Sequence, residues 1–470
     1  MTSNFRDLRK NLKKIILSIA FAGGCLSVLA DDAPKYVFYY IGDGLGMQPL
    51  MTAQAYNRDI LKNEKPLLML QFPVASWAMT YSASSPITDS AAAGTALSTG
   101  YKTGNGMLGV TPDTVPVTSV ARTLKDMGYG VGIITSVYAD DATPGAFYAH
   151  VASRGMFYDI DVQAAKSGYD FIGGAGMKGL VDYDGNPTDI PVIMSENGVQ
   201  LVRGIDGIKE INSEKVVLLS EEGRPNYNIG YTIDSIPGVL TLPLITETCL
   251  NHLKKQSPDK FFMMVEGGNI DHALHANDAG AAIMEILNFN DALKIAYDFY
   301  LQHPDETLIL VSADHDTGGM SHVKDGLGVY RYVKVSKEEF SNYCMGIIRS
   351  RMIYTWDDMK EYLTENFGLF SHIRLSNEKE EALKKRFDET FEQRNSADQE
   401  TLYASFNAFA VAVFDIINNA AGTMFTTTGH SGNPVPVFAV GVGSDKFKGV
   451  NNNTDLPHIL REILNISDSL

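Results

Sequence analysis

The stretch Phe261-Phe262-Met263-Met264-Val265-Glu266-Gly267-Gly268-Asn269-Ile270-Asp271-His272-Ala273-Leu274-His275 joins an apolar run to a cluster of ionisable side chains. An unbroken apolar run with no polar alternation predicts a strand over Phe261–Val265 buried on both faces, as in a parallel sheet. Asp271 and His275 are four residues apart, so a helical turn puts both on one face. A strand that ends in a carboxylate and runs into such a turn suits a ligand site beyond the carboxyl edge of an open sheet.

Four more runs read the same way: Tyr36–Ile41, Val131–Thr135, Thr307–Val311 and Val437–Val442. Helical patterns lie among them over Thr118–Met127, Leu242–Lys255 and Asn288–Gln302. The alternation predicts an α/β fold, a doubly wound, mostly parallel central sheet with helices on both faces. Residues 326–421 differ in character and read as a mostly helical insertion on this sheet. Within Asn377–Phe391, for example, Leu383, Phe387 and Phe391 recur every four residues, and Glu378-Lys379-Glu380-Glu381 is a solvated helix face.

Hydrophobic residues make up 44% of the 470-residue chain and charged residues 20%, a globular composition that excludes disordered, collagen-like and coiled-coil proteins. A formal charge of −17 argues against binding nucleic acid or anionic lipid through bulk charge. Three cysteines exclude a disulfide scaffold and any Cys-only zinc or iron–sulfur site.

Residues 1–30 read as a signal peptide. Arg6, Arg9, Lys10, Lys13 and Lys14 precede the apolar Ile15–Leu29, and Val28-Leu29-Ala30 offers a cleavage site before Asp31. The expected location is therefore exported, periplasmic or secreted. Ala22-Gly23-Gly24-Cys25 offers a second route, a lipid anchor through Cys25, although Ala22 stands where Leu is usual. Cleavage at Ala30 removes those five cations and Asp7, taking the net charge from −17 to −21. Cys249 and Cys344 then remain, and whether they pair is open at this stage.

The chemistry gathers where strands end. The first strand runs into Gly42-Asp43-Gly44, the second leads to Asp140-Asp141-Ala142-Thr143, the third ends in Glu266 and the fourth reaches Asp314-His315; Thr428-Gly429-His430 precedes the last. Singly each has a plain structural reading: Asp43 as a turn residue, Asp271 and His275 as a surface pair, His430 as a loop histidine. Together at one sheet edge they form a metal-competent set, imidazole with carboxylate suiting zinc and carboxylate with hydroxyl suiting magnesium. Ser90, in Thr88-Asp89-Ser90-Ala91-Ala92-Ala93-Gly94-Thr95, opens a small-residue helix. It reads either as an N-cap or as a nucleophile whose anionic oxygen the helix start favours.

The set resembles the alkaline phosphatase family, two-zinc, one-magnesium phosphomonoesterases, over nearly the whole mature chain. Gly42-Asp43-Gly44, Thr88-Asp89-Ser90-Ala91-Ala92, Asp141-Ala142-Thr143-Pro144, Ala149-His150-Val151-Ala152-Ser153-Arg154, Glu266 to His272 with His275-Ala276-Asn277-Asp278, Ala313-Asp314-His315 and Thr428-Gly429-His430 stand in family order. The resemblance implies that Asp271, His275 and His430 hold the first zinc, and that Asp43, Asp314 and His315 hold the second, beside the nucleophile Ser90. It implies magnesium at Asp43, Thr143 and Glu266, with Asp141 orienting a water on it. Arg154 would clamp two phosphate oxygens, and His272 would reach phosphate through water or tune the nearby zinc. The expected substrates are small phosphate monoesters, hydrolysed through a phosphoserine intermediate, and the expected assembly is a homodimer. Two features depart from the family pattern: Asp316 follows His315 where many relatives carry another residue, and a long helical segment separates His315 from His430. Two other functions compete. One is a phosphodiesterase or nucleotide pyrophosphatase of the same superfamily, against which Thr143, Glu266 and Arg154 argue; the other is a non-catalytic phosphate-binding protein.

Overall fold

The computed structural model describes residues 33–221, 228–350, 352–394 and 398–466. The signal-peptide reading of residues 1–30 falls outside them. Eight strands enter the main sheet before residue 314: β1 (Tyr36–Gly42), β2 (Val74–Met79), β3 (Gly130–Thr135), β4 (Phe171–Gly174), β5 (Val199–Arg203), β6 (Lys215–Leu219), β7 (Phe261–Glu266) and β8 (Thr307–Ala313). With Val435–Gly441 and Val450–Asn452 they make a ten-stranded sheet, ordered Val450–Asn452, β2, Val435–Gly441, β8, β1, β7, β3, β4, β6, β5.

The centre of the sheet bears out the reading of the apolar runs. Every residue of β1, β3, β7 and β8 is buried, and these strands pair in parallel. Phe38, Tyr39 and Tyr40 are fully buried, and the Tyr40 hydroxyl donates to the Ala292 carbonyl at 2.8 Å, pinning the helix Ala279–Tyr300. That helix packs against β1 and β8, and the helix Leu242–Gln256 packs against β3. The long helix starts nine residues before the expected Asn288. Asp278 caps it by accepting from Ala281 N, and its small-residue first turns carry too little contrast for periodicity to detect.

The last strand corrects the sequence reading in one respect. The run expected over Val437–Val442 forms Val435–Gly441, but it lies antiparallel to both β8 and β2. A run buried on both faces looks the same in either direction, so the pattern carries no sign of orientation. The reversal brings the start of this strand to the edge where its parallel neighbours end. The preceding residues His430–Ser431 pair antiparallel with Asp316–Thr317.

Residues 327–421 hold the helices Lys337–Ser350, Trp356–Phe367, Asn377–Phe387 and Ala408–Ala421, and a hairpin of Asp398–Glu400 with Ser405–Asn407. Leu383 and Phe387 are buried while Glu378, Lys379 and Glu381 are exposed, so the charge run does face solvent. The regular helix stops at Phe387, and Phe391 lies in the wider turn Asp388–Glu392. This segment is tied to the sheet domain by Lys337, whose ammonium donates to the Ala276 carbonyl at 2.8 Å and whose backbone N–H donates to Asp278 at 2.7 Å. Cys249 and Cys344 are both buried, unpaired thiols. Among the described residues no helix is long and apolar enough to cross a membrane.

Candidate active site

Parallel strands end at one edge, so register decides which side chains meet. Gly42 pairs with Ala313 and Ile41 with Glu266, which delivers Asp43, Asp314 and Glu266 side by side. Thr135 of β3 sits opposite Glu266 and donates its hydroxyl proton to Glu266 Oε2. After Asp43 the chain turns through Gly44 at φ +69°, and Gly44 N donates to Asp314 Oδ1 at 3.0 Å. A Cβ at Gly44 would lie 2.6 Å from Asp271 Oδ1, so the turn needs glycine both for its dihedral and for space.

The orientation of three imidazoles follows from their partners. His275 Nδ1 faces the Thr428 carbonyl at 2.5 Å and His430 Nδ1 faces the Thr88 carbonyl at 2.9 Å. A carbonyl only accepts, so both Nδ1 atoms carry the proton and both Nε2 atoms are turned inward, able to present lone pairs when the rings are neutral. Those two Nε2 atoms face each other at 3.0 Å. Thr317 donates its hydroxyl proton to Asp271, so its oxygen accepts from His315 Nδ1 at 3.1 Å. His315 Nε2 is therefore also turned inward, 3.1 Å from Asp314 Oδ2 and 3.4 Å from Asp43 Oδ1. Nδ1 anchored outside and Nε2 turned inside is the arrangement that prepares histidine for a metal.

The donors form two groups, Asp271 with His275 and His430, and Asp43 with Asp314 and His315, each with ligand atoms within 4.8 Å of one another. The groups share a wall, with the His315 and His430 rings stacked at 3.6 Å. Asp43 Oδ1, Asp271 Oδ2, Asp314 Oδ2 and Thr143 Oγ1 are buried without a hydrogen-bond partner. Facing lone pairs and orphaned carboxylate oxygens are costly unless a cation joins them. The donor set therefore fits divalent metals, with imidazole and carboxylate at both groups and oxygen alone at Thr143 and Glu266.

Electrostatics repeat the point. Burial, reinforced by Asp314, Asp271 and Glu266, raises the Asp43 carboxyl far above its ordinary range. Burial also pushes Glu266 up to about 8 and Asp314 to about 7. Asp271 is the exception: burial raises it, but His275, His315 and His430 hold it well below the usual value. Burial lowers His315 and His430, which keeps both neutral and able to ligate.

Ser90 is the first residue of the helix Ser90–Thr99, every residue of which is buried. The cap is Asp89, whose side chain accepts from Ala92 N at 3.0 Å. This removes the capping role for Ser90, whose Oγ instead lies 3.0 Å from His315 Nε2. Arg154 stands beside it, with Nη2 donating to Asp141 Oδ1 at 2.8 Å and Nη1 to Asp89 Oδ2 at 3.4 Å. His272 lies against Tyr403 with ring centroids 4.0 Å apart and the rings tilted by 36°, and burial lowers it to about 4, so it is neutral. Asp316 accepts from Ser431 Oγ and from Asn433 Nδ2 at 3.1 Å, which locks the loop carrying His430.

Four contributors escape sequence reasoning. Asp89 stands out in the sequence only as part of a motif, although an Asp before a helical serine is a capping signal in its own right. Thr135 holds Glu266 and Thr317 holds Asp271 and His315 through their hydroxyls, and a threonine near a strand end is too ordinary to stand out. Tyr403 comes from the hairpin of the helical segment, far along the chain from the histidines it touches.

A buried nucleophile-competent serine, two inward-facing donor groups and an adjacent arginine equip a hydrolase for an anionic ester. The alkaline phosphatase family model matches residues 34–195 and 183–466, and the chain belongs to the alkaline phosphatase family. The enzyme is accordingly a phosphoric monoester hydrolase. Alkaline phosphatase 3 of Bacillus subtilis is 30% identical, covering 90% of this chain and 88% of its own length. Alkaline phosphatase 4 of the same organism is 28% identical, covering 97% and 98%. The crystal structure of a cold-active alkaline phosphatase from a psychrophilic Shewanella species superposes with a TM-score of 0.76 at 27% identity, covering 91% of this chain and 99% of that one.

Proposed function

We propose that this protein is an exported, metal-dependent phosphatase that hydrolyses small phosphate monoesters through a phosphoserine intermediate. The observation that carries the reading is Ser90 Oγ at 3.0 Å from His315 Nε2 of one donor group, with Arg154 paired to the adjoining Asp89. Asp271, His275 and His430 would hold one zinc and Asp43, Asp314 and His315 the other, with magnesium at Asp43, Thr143 and Glu266. Bound there, the ions would supply the positive charge that favours an ionised Ser90 and a departing ester oxygen.

The chain's own residues do the positioning. Ser90 Oγ, held at the start of a buried helix, attacks phosphorus in line with the ester oxygen, the P–O bond to that oxygen breaks, the alcohol leaves with a proton in place of the one Ser90 gives up, and the phosphate becomes covalent on Ser90. Arg154 presents its planar fork to two equatorial oxygens, replacing Asp141 and Asp89 as partners. Water then attacks from the vacated side, releasing phosphate and restoring Ser90. Recognition falls on the phosphate, which favours broad use of monoesters.

Arg154→Ser tests the monoester reading. A monoester offers the fork two of three charged equatorial oxygens, whereas a diester has one of the three esterified and carries one charge less. Charge-assisted hydrogen bonds contribute about 1.5–3 kcal/mol, so monoester kcat/KM should fall roughly 10–200-fold. Diester kcat/KM should fall by clearly less. Equal losses for an aryl phosphate and its methyl diester would remove Arg154 from this role and reopen the diesterase reading.

Export rests on the basic segment Arg6–Lys14, the apolar run after it and the small-residue site at Ala30. N-terminal sequencing of material recovered outside the cytoplasm is expected to start at Asp31. A lipid-modified Cys25 as first residue would replace this reading with a membrane anchor.

A further inference from the structure

We propose that Tyr403, at the tip of the hairpin Asp398–Asn407, forms the wall against which the leaving group of the substrate packs, and so favours monoesters whose ester oxygen carries an aromatic ring. This rests on the phosphomonoesterase reading and adds a leaving-group contact to it. The argument is one of sides. Ser90 lies against His315, in the donor group with Asp43 and Asp314. Tyr403 lies against the other group: its ring centroid is 5.1 Å from that of His275, edge to face, and 4.0 Å from that of His272. In-line displacement sends the leaving oxygen away from the nucleophile, and here that direction runs from Ser90 toward the Tyr403 side.

Tyr403 is also suited to the task chemically. Its ring is held rather than mobile, with one face on His272 and an edge on His275, and it remains half-buried with surface to offer. The hairpin that carries it is anchored close behind: Asn407 N donates to Ser341 Oγ at 2.8 Å, and Lys337 lies over the Phe406 ring at 4.9 Å. The helical segment thus reaches the site through a braced loop. A fixed aromatic face stacks on a flat ring and gains little from a polyol.

The test uses the full-length metal-loaded enzyme, phenyl phosphate and glycerol phosphate as substrates, and inorganic phosphate as an inhibitor without a leaving group. Tyr403→Ala should lower the ratio of phenyl to glycerol phosphate kcat/KM by roughly 3–10-fold, the size of one aromatic contact. Tyr403→Phe should keep the wild-type ratio, and the inhibition constant of phosphate should stay the same in both. Tyr403→Leu, closer in volume, should repeat the loss if the alanine protein folds poorly. A ratio unchanged in both Ala and Leu proteins overturns the inference, since a tyrosine that only supports His272 would lower both substrates alike. A phosphate constant that shifts as much as the ratio also overturns it. Failure of the wild type to turn over either substrate would instead sink the phosphatase reading itself.

Discussion

Ser90→Ala protein, incubated with a labelled phosphate monoester and quenched in acid, is expected to carry no label, while the unaltered enzyme traps phosphate on Ser90. Steady-state turnover should fall by about 10⁴-fold or more, the scale of removing a nucleophile from a unit that works together. The fold should survive, because the helix is capped by Asp89 rather than by Ser90. Metal content should survive as well, because Ser90 belongs to neither donor group. The serine-to-alanine change removes one buried hydroxyl whose protein partner is His315. Label retained by the alanine protein would mean that another group accepts the phosphate.

Stripping metal with a chelator should reduce activity below detection, with recovery on adding zinc and magnesium. It should also change how stability depends on pH. Asp43 is raised well above its ordinary value, Glu266 to about 8 and Asp314 to about 7, while the unfolded chain titrates near 4. A carboxyl raised in the folded state contributes stability below its unfolded value that is lost as pH rises through the folded one. His315 and His430, held down by burial, oppose this only below about pH 6.5. Between about pH 8 and 6.5, therefore, the Tm of stripped protein should rise as pH falls. Asp140, Asp234 and Glu285, each pushed to about 7 by burial, add the same trend to both forms. The readout is consequently the difference: loaded protein should show the shallower slope, because cations hold the site carboxylates ionised. Equal slopes would show that these carboxylates are not where the metals bind.

Much of the fold and the candidate site can be read from the chain because β1, β7 and β8 are buried on both faces and end together. Asp43, Glu266 and Asp314 lie at or just past those ends, so strand positions and residue chemistry point to one edge. His430 shows the limit. Before a parallel strand it would belong to the opposite edge, and only the reversal of Val435–Gly441 brings it beside His275. That reversal depends on pairing between distant segments, which no local pattern encodes. The short strands β4, β5 and β6 escape notice for a related reason. β5 is mostly half-buried, and β4 ends in two glycines, so neither shows a clear period. Tyr403 is the extreme case, since its environment is made by a hairpin folding back over the site.

Arg154 is shared between Asp141 and Asp89 before any ligand arrives. On the mechanism proposed above, the site thereby carries its own rival to phosphate. When product leaves, the guanidinium is not stranded in a water-poor crevice but is reclaimed by two carboxylates, so departure is an exchange of partners rather than a bare separation. That exchange loosens the grip on inorganic phosphate and on every anion equally, in the ground state. On that mechanism, a clamp with resident partners gives up some hold on product, and release clears the site for the next ester.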